Sequence, residues 1–328
     1  MAASSTPDIG ESVVVPLTDA ALLASYSPQP PAGAHIEIAQ VEHRIHLINA
    51  FRLGTGSRVL EIGPGQGTCT TVLAHAVGER GHIDAVDPAP PDYGAPFTLA
   101  QAQDYVSASA VGSRISWHRQ TPEAFLASFR PPPPPPPPPP HASETGKGVK
   151  DGAGERPDWD VAVLVHSVWY FRSPATLGRI LAALKGRARR VCIAEYALHA
   201  TRPAAVPHVF AALARGTAEC YKAETAENIQ TPLSPSAIKE MAAAAGWTVV
   251  CETEVVPEPG LSDGMWETGT VVRDAFLHDV QDVENERVRA VLRSARDATT
   301  SAAAAVGGWK KVQTMDVWAA VFSEDETT

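Results

Sequence analysis

The sequence predicts an α/β fold built on a doubly wound sheet, and three observations carry that expectation. A short apolar strand, Val59, Leu60 and Ile62, runs into alternating glycines at 63, 65 and 67 and then into a helix-forming stretch, Thr68 to Val77, stopped by Gly78. A second strand-like run, His82 to Asp87, follows the turn at Gly81 and ends in a carboxylate 20 residues beyond Gly67. Strand-like and helix-like segments then keep alternating until two final strands flank a helical insertion, which is the element order of a doubly wound sheet.

The elements follow in order. Residues 1 to 34, with Pro16, Pro28, Pro30 and Pro31, read as an extended N-terminal arm with at most a short helix around Asp19 to Ser25. From His35 to Leu53 the apolar residues Ile38, Val41, Ile45 and Ile48 recur at helical spacing, so a helix precedes the first strand and helps to wall its ligand site. After the second strand, Leu99 to Ala110 reads as a helix and Arg114 to Arg119 as the third strand. Gln120 and Thr121 then fall at that strand's carboxyl end, where open α/β sheets hold their ligands.

Ten consecutive prolines, 131 to 140, follow, with a Gly, Ser and Lys-containing stretch to Pro157. Proline has no N–H to give a sheet, and a polyproline helix rises ~3.1 Å per residue, so this block reads as a disordered, proline-rich insertion over 130–157 in a surface loop. Loop length costs only ~0.6 kcal/mol per doubling. The competing reading is a docking segment for a proline-binding partner at 131–140, although the run lacks the flanking residues such modules read.

The pattern resumes with strand four, Asp158 to Val165, a helix from Ala175 to Leu184 and strand five, Arg190 to Tyr196. Ser234 as N-cap, Pro235 at the first helical position and Gly246 past the last turn bracket another helix. Trp247 to Val256 is strand six, and Val312 to Phe322 is the last strand. Between them, residues 257–308 carry two amphipathic helical faces, Val272, Phe276, Val280, Val283 and then Val288, Val291, Leu292, and are expected to form a helical cap over the site. Residues 35–328 are thus one domain with two insertions.

The 328 residues carry a formal charge of -10, which repels a phosphate backbone unless the basic residues gather on one face. The one dense basic run, Lys185 to Arg190, reads as a solvated helix end, so no nucleic-acid partner is expected. Cys69, Cys192, Cys220 and Cys251 are scattered without metal-ligand spacing, and Cys192 and Cys251 lie in apolar strand-like runs where a thiol behaves as a small hydrophobe. The first residues lack a basic n-region and an apolar core, and no window reaches the ~20 apolar residues of a membrane span. A cytoplasmic protein with no metal and no membrane contact is the expectation.

Glycines at 63, 65 and 67 let the turn adopt backbone angles that a Cβ forbids, so a ligand can approach the main chain. A dinucleotide fingerprint needs its third glycine at position 68, where Thr68 stands, which argues against a nicotinamide-dependent dehydrogenase. The spacing G-x-G-x-G with Glu61 two residues before it resembles motif I of class I S-adenosylmethionine-dependent methyltransferases. That resemblance implies a Rossmann-like sheet of seven strands ordered 3-2-1-4-5-7-6 with the last antiparallel. It also implies that the loop packs on the cofactor's amino-acid and ribose portions, that Glu61 sits near the ammonium and that Asp87 accepts from the ribose hydroxyls. A wider resemblance, to fungal methyltransferase-like proteins, lies in the runs HIEIAQVEHRIHLINAF, RVLEIGPGQGTCT, GHIDAVDPAPPDYGAPFTLAQAQ, VLVHSVWYF and DGMWE. The acceptor-side runs mark relatives without naming a substrate.

His166 and Ser167 follow strand four directly, so they emerge at the sheet's carboxyl edge beside the glycine loop. Methyl transfer is an in-line displacement, in which proximity alone supplies ~7 to 11 kcal/mol, and a hydroxyl or ammonium acceptor must also lose a proton. His166 is the first candidate for that base, or else a wall of the cofactor pocket with Ser167, and Glu195 at the end of strand five is the second. Trp169, Tyr170, Phe171, Tyr196 and Trp266 are either acceptor-pocket aromatics or core, and Tyr26 and His208 are lid candidates. The functional expectation is a methyltransferase acting on a small-molecule acceptor. A cofactor-binding regulatory protein without turnover is the alternative.

Overall fold

A computed structural model of the chain describes residues 12–29, 33–130, 157–222, 225 and 227–324. Residues 131–156, and with them the ten prolines at 131–140 and nearly all of the insertion expected over 130–157, lie outside the described residues. The helices and strands run α1 (Ala20–Ala24), α2 (Ala34–Phe51), β1 (Arg58–Ile62), α3 (Thr68–Val77), β2 (His82–Val86), α4 (Leu99–Ser107), β3 (Ile115–His118), α5 (Pro122–Ser128), β4 (Trp159–Val165), α6 (Pro174–Leu184), β5 (Ala188–Tyr196), α7 (Val206–Glu219), α8 (Pro235–Ala244), β6 (Trp247–Val255), α9 (Asp263–Val272), α10 (Ala275–Gln281), α11 (Glu286–Ala305) and β7 (Val317–Glu324).

The seven strands form one sheet in the order β3-β2-β1-β4-β5-β7-β6. β1 lies inside it, pairing in parallel with β2 (Val59 opposite Ile83) and with β4 (Val59 opposite Val161). β7 runs antiparallel to both β5 and β6, as expected. Because side chains alternate along a strand, Val59, Val161 and Val163 join one core layer, against α1, α2 and α3, while Leu60, Ala162 and Leu164 join the other, against α6 and α8. A buried strand between two helical layers explains why β1 and β4 read as near-continuous apolar runs.

Local chemistry sets the helix ends. Thr98 caps α4 in a reciprocal capping box with Gln101, while Ser173 and Ser234 cap α6 and α8 with proline in the first turn. The N-terminal segment is packed in: Val15, Leu23 and Ala24 are buried, and the Asn49 side chain exchanges two 2.9 Å bonds with the Val15 backbone.

Several elements differ from the sequence reading. Residues 263–305 form three helices, and these pack with α7, which the sequence pattern did not reveal, around Ala211, Ala214, Val271, Phe276, Val280 and Leu292. The buried side of α7 carries small and polar residues, four alanines with His208, Arg215 and Glu219, while its large apolar residues Phe210 and Leu213 are exposed, so no row of large apolar side chains marks the side that packs. The last strand begins at Val317, not Val312. Cys251 is exposed, because β6 is the sheet's edge and only one end of it is buried. The basic run is tied down locally: Lys185 donates to the Gly246 carbonyl at 2.8 Å, and Arg187 bonds Asp158 at 2.7 Å and lies over the Trp159 ring. Among the described residues no helix is long and apolar enough to cross a membrane.

Candidate active site

The chain exits β1 into a turn clamped from both sides. Gly63 has φ +76°, donates its N–H to the Val86 carbonyl at 2.9 Å, and stands so close to Ser167 that an added Cβ would lie 2.5 Å from the serine Cβ. Ser167 is itself buried, its hydroxyl donating to the Ile62 carbonyl at 2.8 Å, so it locks the exits of β1 and β4 together. Gly67 then starts α3 against the Trp117 ring. Gly65 is different: at φ +54° a Cβ there would meet no protein atom within 4 Å. The middle of the loop is therefore the stretch of backbone left open to a ligand.

Asp87, just past β2, reaches that loop. One carboxylate oxygen accepts the Gly65 N–H at 3.1 Å and the other the Ala89 N–H at 2.9 Å. A groove beside it is lined by Asp87, Leu99, Gln103, Trp117, His118 and Arg119. Gln120 and Thr121 are exposed just beyond that lining, and the Thr121 hydroxyl is engaged in capping α5 through the Ala124 N–H. On the other side of the loop Glu61 is 2% exposed. Burial raises its carboxyl to about 7, and the neighbouring Thr70 hydroxyl and Cys69 thiol offset that only in part. Its Oε2 has no hydrogen-bond partner.

At the end of β4 the backbone of His166 turns into the left-handed region, φ +50°, which is costly for a residue with a Cβ and recurs at functional sites. The turn aims the imidazole across the sheet edge. Its Nε2 lies 3.0 Å from Nε2 of His43 on α2, its Nδ1 lies 3.4 Å from Glu195, and its ring lies on Tyr196 with centroids 4.5 Å apart. Glu195, the second base candidate, is 1% exposed and accepts the backbone N–H groups of Val168, Trp169 and Tyr196. It holds the turn behind His166 and faces no open space.

Sequence reasoning missed the polar face of α2. Glu37 accepts from the Thr68 hydroxyl at 2.9 Å, Gln40 donates to Asp263 at 3.0 Å, and His43 meets His166. Burial, reinforced by the neighbouring His166, holds His43 well below the usual histidine range. A signal was present: Glu37, Gln40 and Arg44 share one side of the helix, and they sit between the apolar positions that identified it.

The cap closes over this edge from α7 and α9. Arg215, buried on α7, pairs with Glu227 and Glu267 and donates to Asn228 at 2.7 Å. His208, a lid candidate, is fully buried: its Nδ1 accepts the Met315 N–H at 3.0 Å and burial pushes its pKa down to about 4. Tyr26, the other, packs partly buried against the core. Tyr196 stands between His166, Trp169 and His208, and burial lifts its phenol well above the usual range. Tyr170 is half exposed, and desolvation, with the neighbouring Tyr93 phenol, raises its phenol to about 12. Phe171 packs on the opposite core layer, and Trp266 is exposed on α9.

Comparison with known proteins agrees with this geometry. Residues 19–91, from just before α1 through β2 and Asp87, match the family model of protein-L-isoaspartate(D-aspartate) O-methyltransferase. Two curated proteins of Diaporthe leptostromiformis, methyltransferase phomM and methyltransferase phomM', are each 32% identical over 289 residues, spanning 79% of this chain and 71% of theirs. Among solved structures, a cyclopropane-fatty-acyl-phospholipid synthase-like protein from Lactobacillus casei superposes with a TM-score of 0.75 at 23% identity, covering 93% of this chain and 99% of that one.

Proposed function

The chain belongs to the S-adenosylmethionine-dependent methyltransferases, and from that premise we propose that it transfers the methyl group to a small-molecule acceptor held between the sheet edge and the cap. S-adenosylmethionine is the cofactor, and the residues present fit it: an open backbone at Gly65, a carboxylate at Asp87 beside it, and an unpartnered carboxylate oxygen at Glu61. When bound, the cofactor supplies a methyl group on a sulfonium, ready for in-line displacement.

The observation that carries the small-molecule reading is the bond between Gln40 of α2 and Asp263 of α9. It ties the cap helix α9 to α2, beside the β4 exit where His43 meets His166, and an acceptor held under such a tie is a compact molecule and not a polymer lying across a surface. There the protein's main task is to exclude water and fix the acceptor in line. His166 is the group that takes the acceptor's proton, at Nε2 once the acceptor displaces His43 from it: Glu195 beside its Nδ1 stabilises the imidazolium that results, and His43 holds the ring through Nε2 until then. Four free thiols suit a reducing, cytoplasmic setting.

Incubation of the purified protein with methyl-labelled cofactor and a fractionated cell extract tests the acceptor class. Label is expected in the low-mass fraction; label confined to protein or nucleic acid would overturn the reading.

A further inference from the structure

The face of α2 that carries Glu37 and Gln40 continues, four residues on, to Arg44. Glu37 is bonded to Thr68 at the mouth of the glycine loop and Gln40 to the cap, so this face looks onto the cofactor side of the sheet edge. The Arg44 Nη1 atom is buried there without a hydrogen-bond partner. Across from it, at the end of β1, the Oε2 atom of Glu61 is buried and equally without a partner. The two groups feel each other, since the guanidinium favours ionisation of Glu61, yet no salt bridge joins them among the described residues.

A guanidinium with one Nη atom buried and a buried acid, near but not paired, each carry an uncompensated desolvation cost. One ligand satisfies both: a group with an ammonium for the acid and a carboxylate for the guanidinium, set one carbon apart as in an α-amino acid. We infer that Arg44 receives the carboxylate of the cofactor's methionyl end while Glu61 receives its ammonium, so that α2 and β1 together hold the zwitterion at the edge of the glycine loop. The inference rests on S-adenosylmethionine being the cofactor and names the residue that reads its carboxylate. Arginine suits that task because its planar fork presents parallel N–H donors to a carboxylate. The assignment also explains why a helix outside the strand–loop–helix unit carries a charge turned toward the interior.

Calorimetric titration of the full chain with S-adenosylmethionine and with decarboxylated S-adenosylmethionine tests it, because the second ligand lacks only the carboxylate. The intact protein is expected to prefer the carboxylated ligand by on the order of 10- to 100-fold, the range of a charge-assisted hydrogen bond. Arg44→Met is expected to abolish that preference while leaving the affinity for the decarboxylated ligand unchanged. Should Arg44→Met fail to fold, Arg44→Gln, which keeps a polar donor without the charge, gives the same comparison. Equal affinity of the intact protein for both ligands would overturn the inference, as would a variant that weakens both ligands alike. Absence of binding of either ligand to the intact protein would overturn the cofactor assignment itself, and this inference with it.

Discussion

His43 of α2 and His166 at the end of β4 face each other through their Nε2 atoms at 3.0 Å, although 123 residues separate them in the chain. Only one of two facing imidazole nitrogens can carry the shared hydrogen, so the pair fixes a donor and an acceptor. Burial holds His43 low, so it is a neutral ring that meets His166. The arrangement is that of a base with a partner that orients it.

His166→Ala is accordingly expected to lower kcat by about 10²- to 10⁴-fold, the usual range for general base catalysis, with the cofactor Kd nearly unchanged. His43→Gln, which still hydrogen-bonds His166, should lower kcat less. Steady-state kinetics together with calorimetry separate the roles: a variant at 166 that loses cofactor affinity as steeply as turnover would make His166 a wall of the cofactor pocket.

Glu61 carries a pH signature. Its carboxyl is raised from 4.5 to about 7 in the fold, so between those values the native state binds more protons than the unfolded state. Stability therefore falls as pH rises from about 4.5 to 7 and levels off above, a cost of roughly 3 kcal/mol for a shift of this size. Glu61→Gln removes that cost: without cofactor its Tm should exceed that of the parent at pH 8, and the gain should vanish below pH 4.5. Thermal melts at the two pH values decide it, and an equal gain at both would assign the effect to packing.

His208 works in the opposite direction. Its pKa falls from 6.5 to about 4, so the unfolded state binds the extra proton in that window and stability is lost as pH drops from 6.5 toward 4. Urea midpoints measured between pH 4 and 7 should slope less for His208→Gln than for the parent. Parallel slopes would show that His208 titrates freely.

The glycine loop separates two kinds of damage. Gly63→Ala drives a Cβ to 2.5 Å from Ser167, at a left-handed φ, and should cost about 1–3 kcal/mol of stability. Gly65→Ala meets no protein atom, so its loss of stability should be smaller, while its Cβ occupies the space a ligand needs and lowers cofactor affinity on the order of tenfold or more. Melting temperature and calorimetry on both variants give the comparison; the same profile from the two would mean that the loop is read wrongly.

The strand–loop–helix unit was legible because its signals are local. Thr68–Val77 and the alternation of strands with helices follow from periodicity and from Gly78 as a stop, neither of which needs a distant partner, whereas the order of the strands in the sheet came from the family resemblance. α7 was not legible, since its buried side mixes alanines with His208, Arg215 and Glu219 while Phe210 and Leu213 stay exposed, and the start of the last strand was misread because Val312 to Asp316 leads into it but serves as a connection, with the Met315 N–H bound to His208.

The sequence by itself determined the strands, the glycine turn and the position of His166 at a strand end, because backbone propensity and spacing act over a few residues, and the methyl donor through its resemblance to a known family. Only the tertiary structure decided what each polar side chain meets. It turned Glu195 inward onto three backbone N–H groups, set His43 against His166, and left the Arg44 Nη1 and Glu61 Oε2 atoms buried without a hydrogen-bond partner. Such meetings depend on how α2 lies across β1 and β4, and packing sets that angle after the local elements have formed.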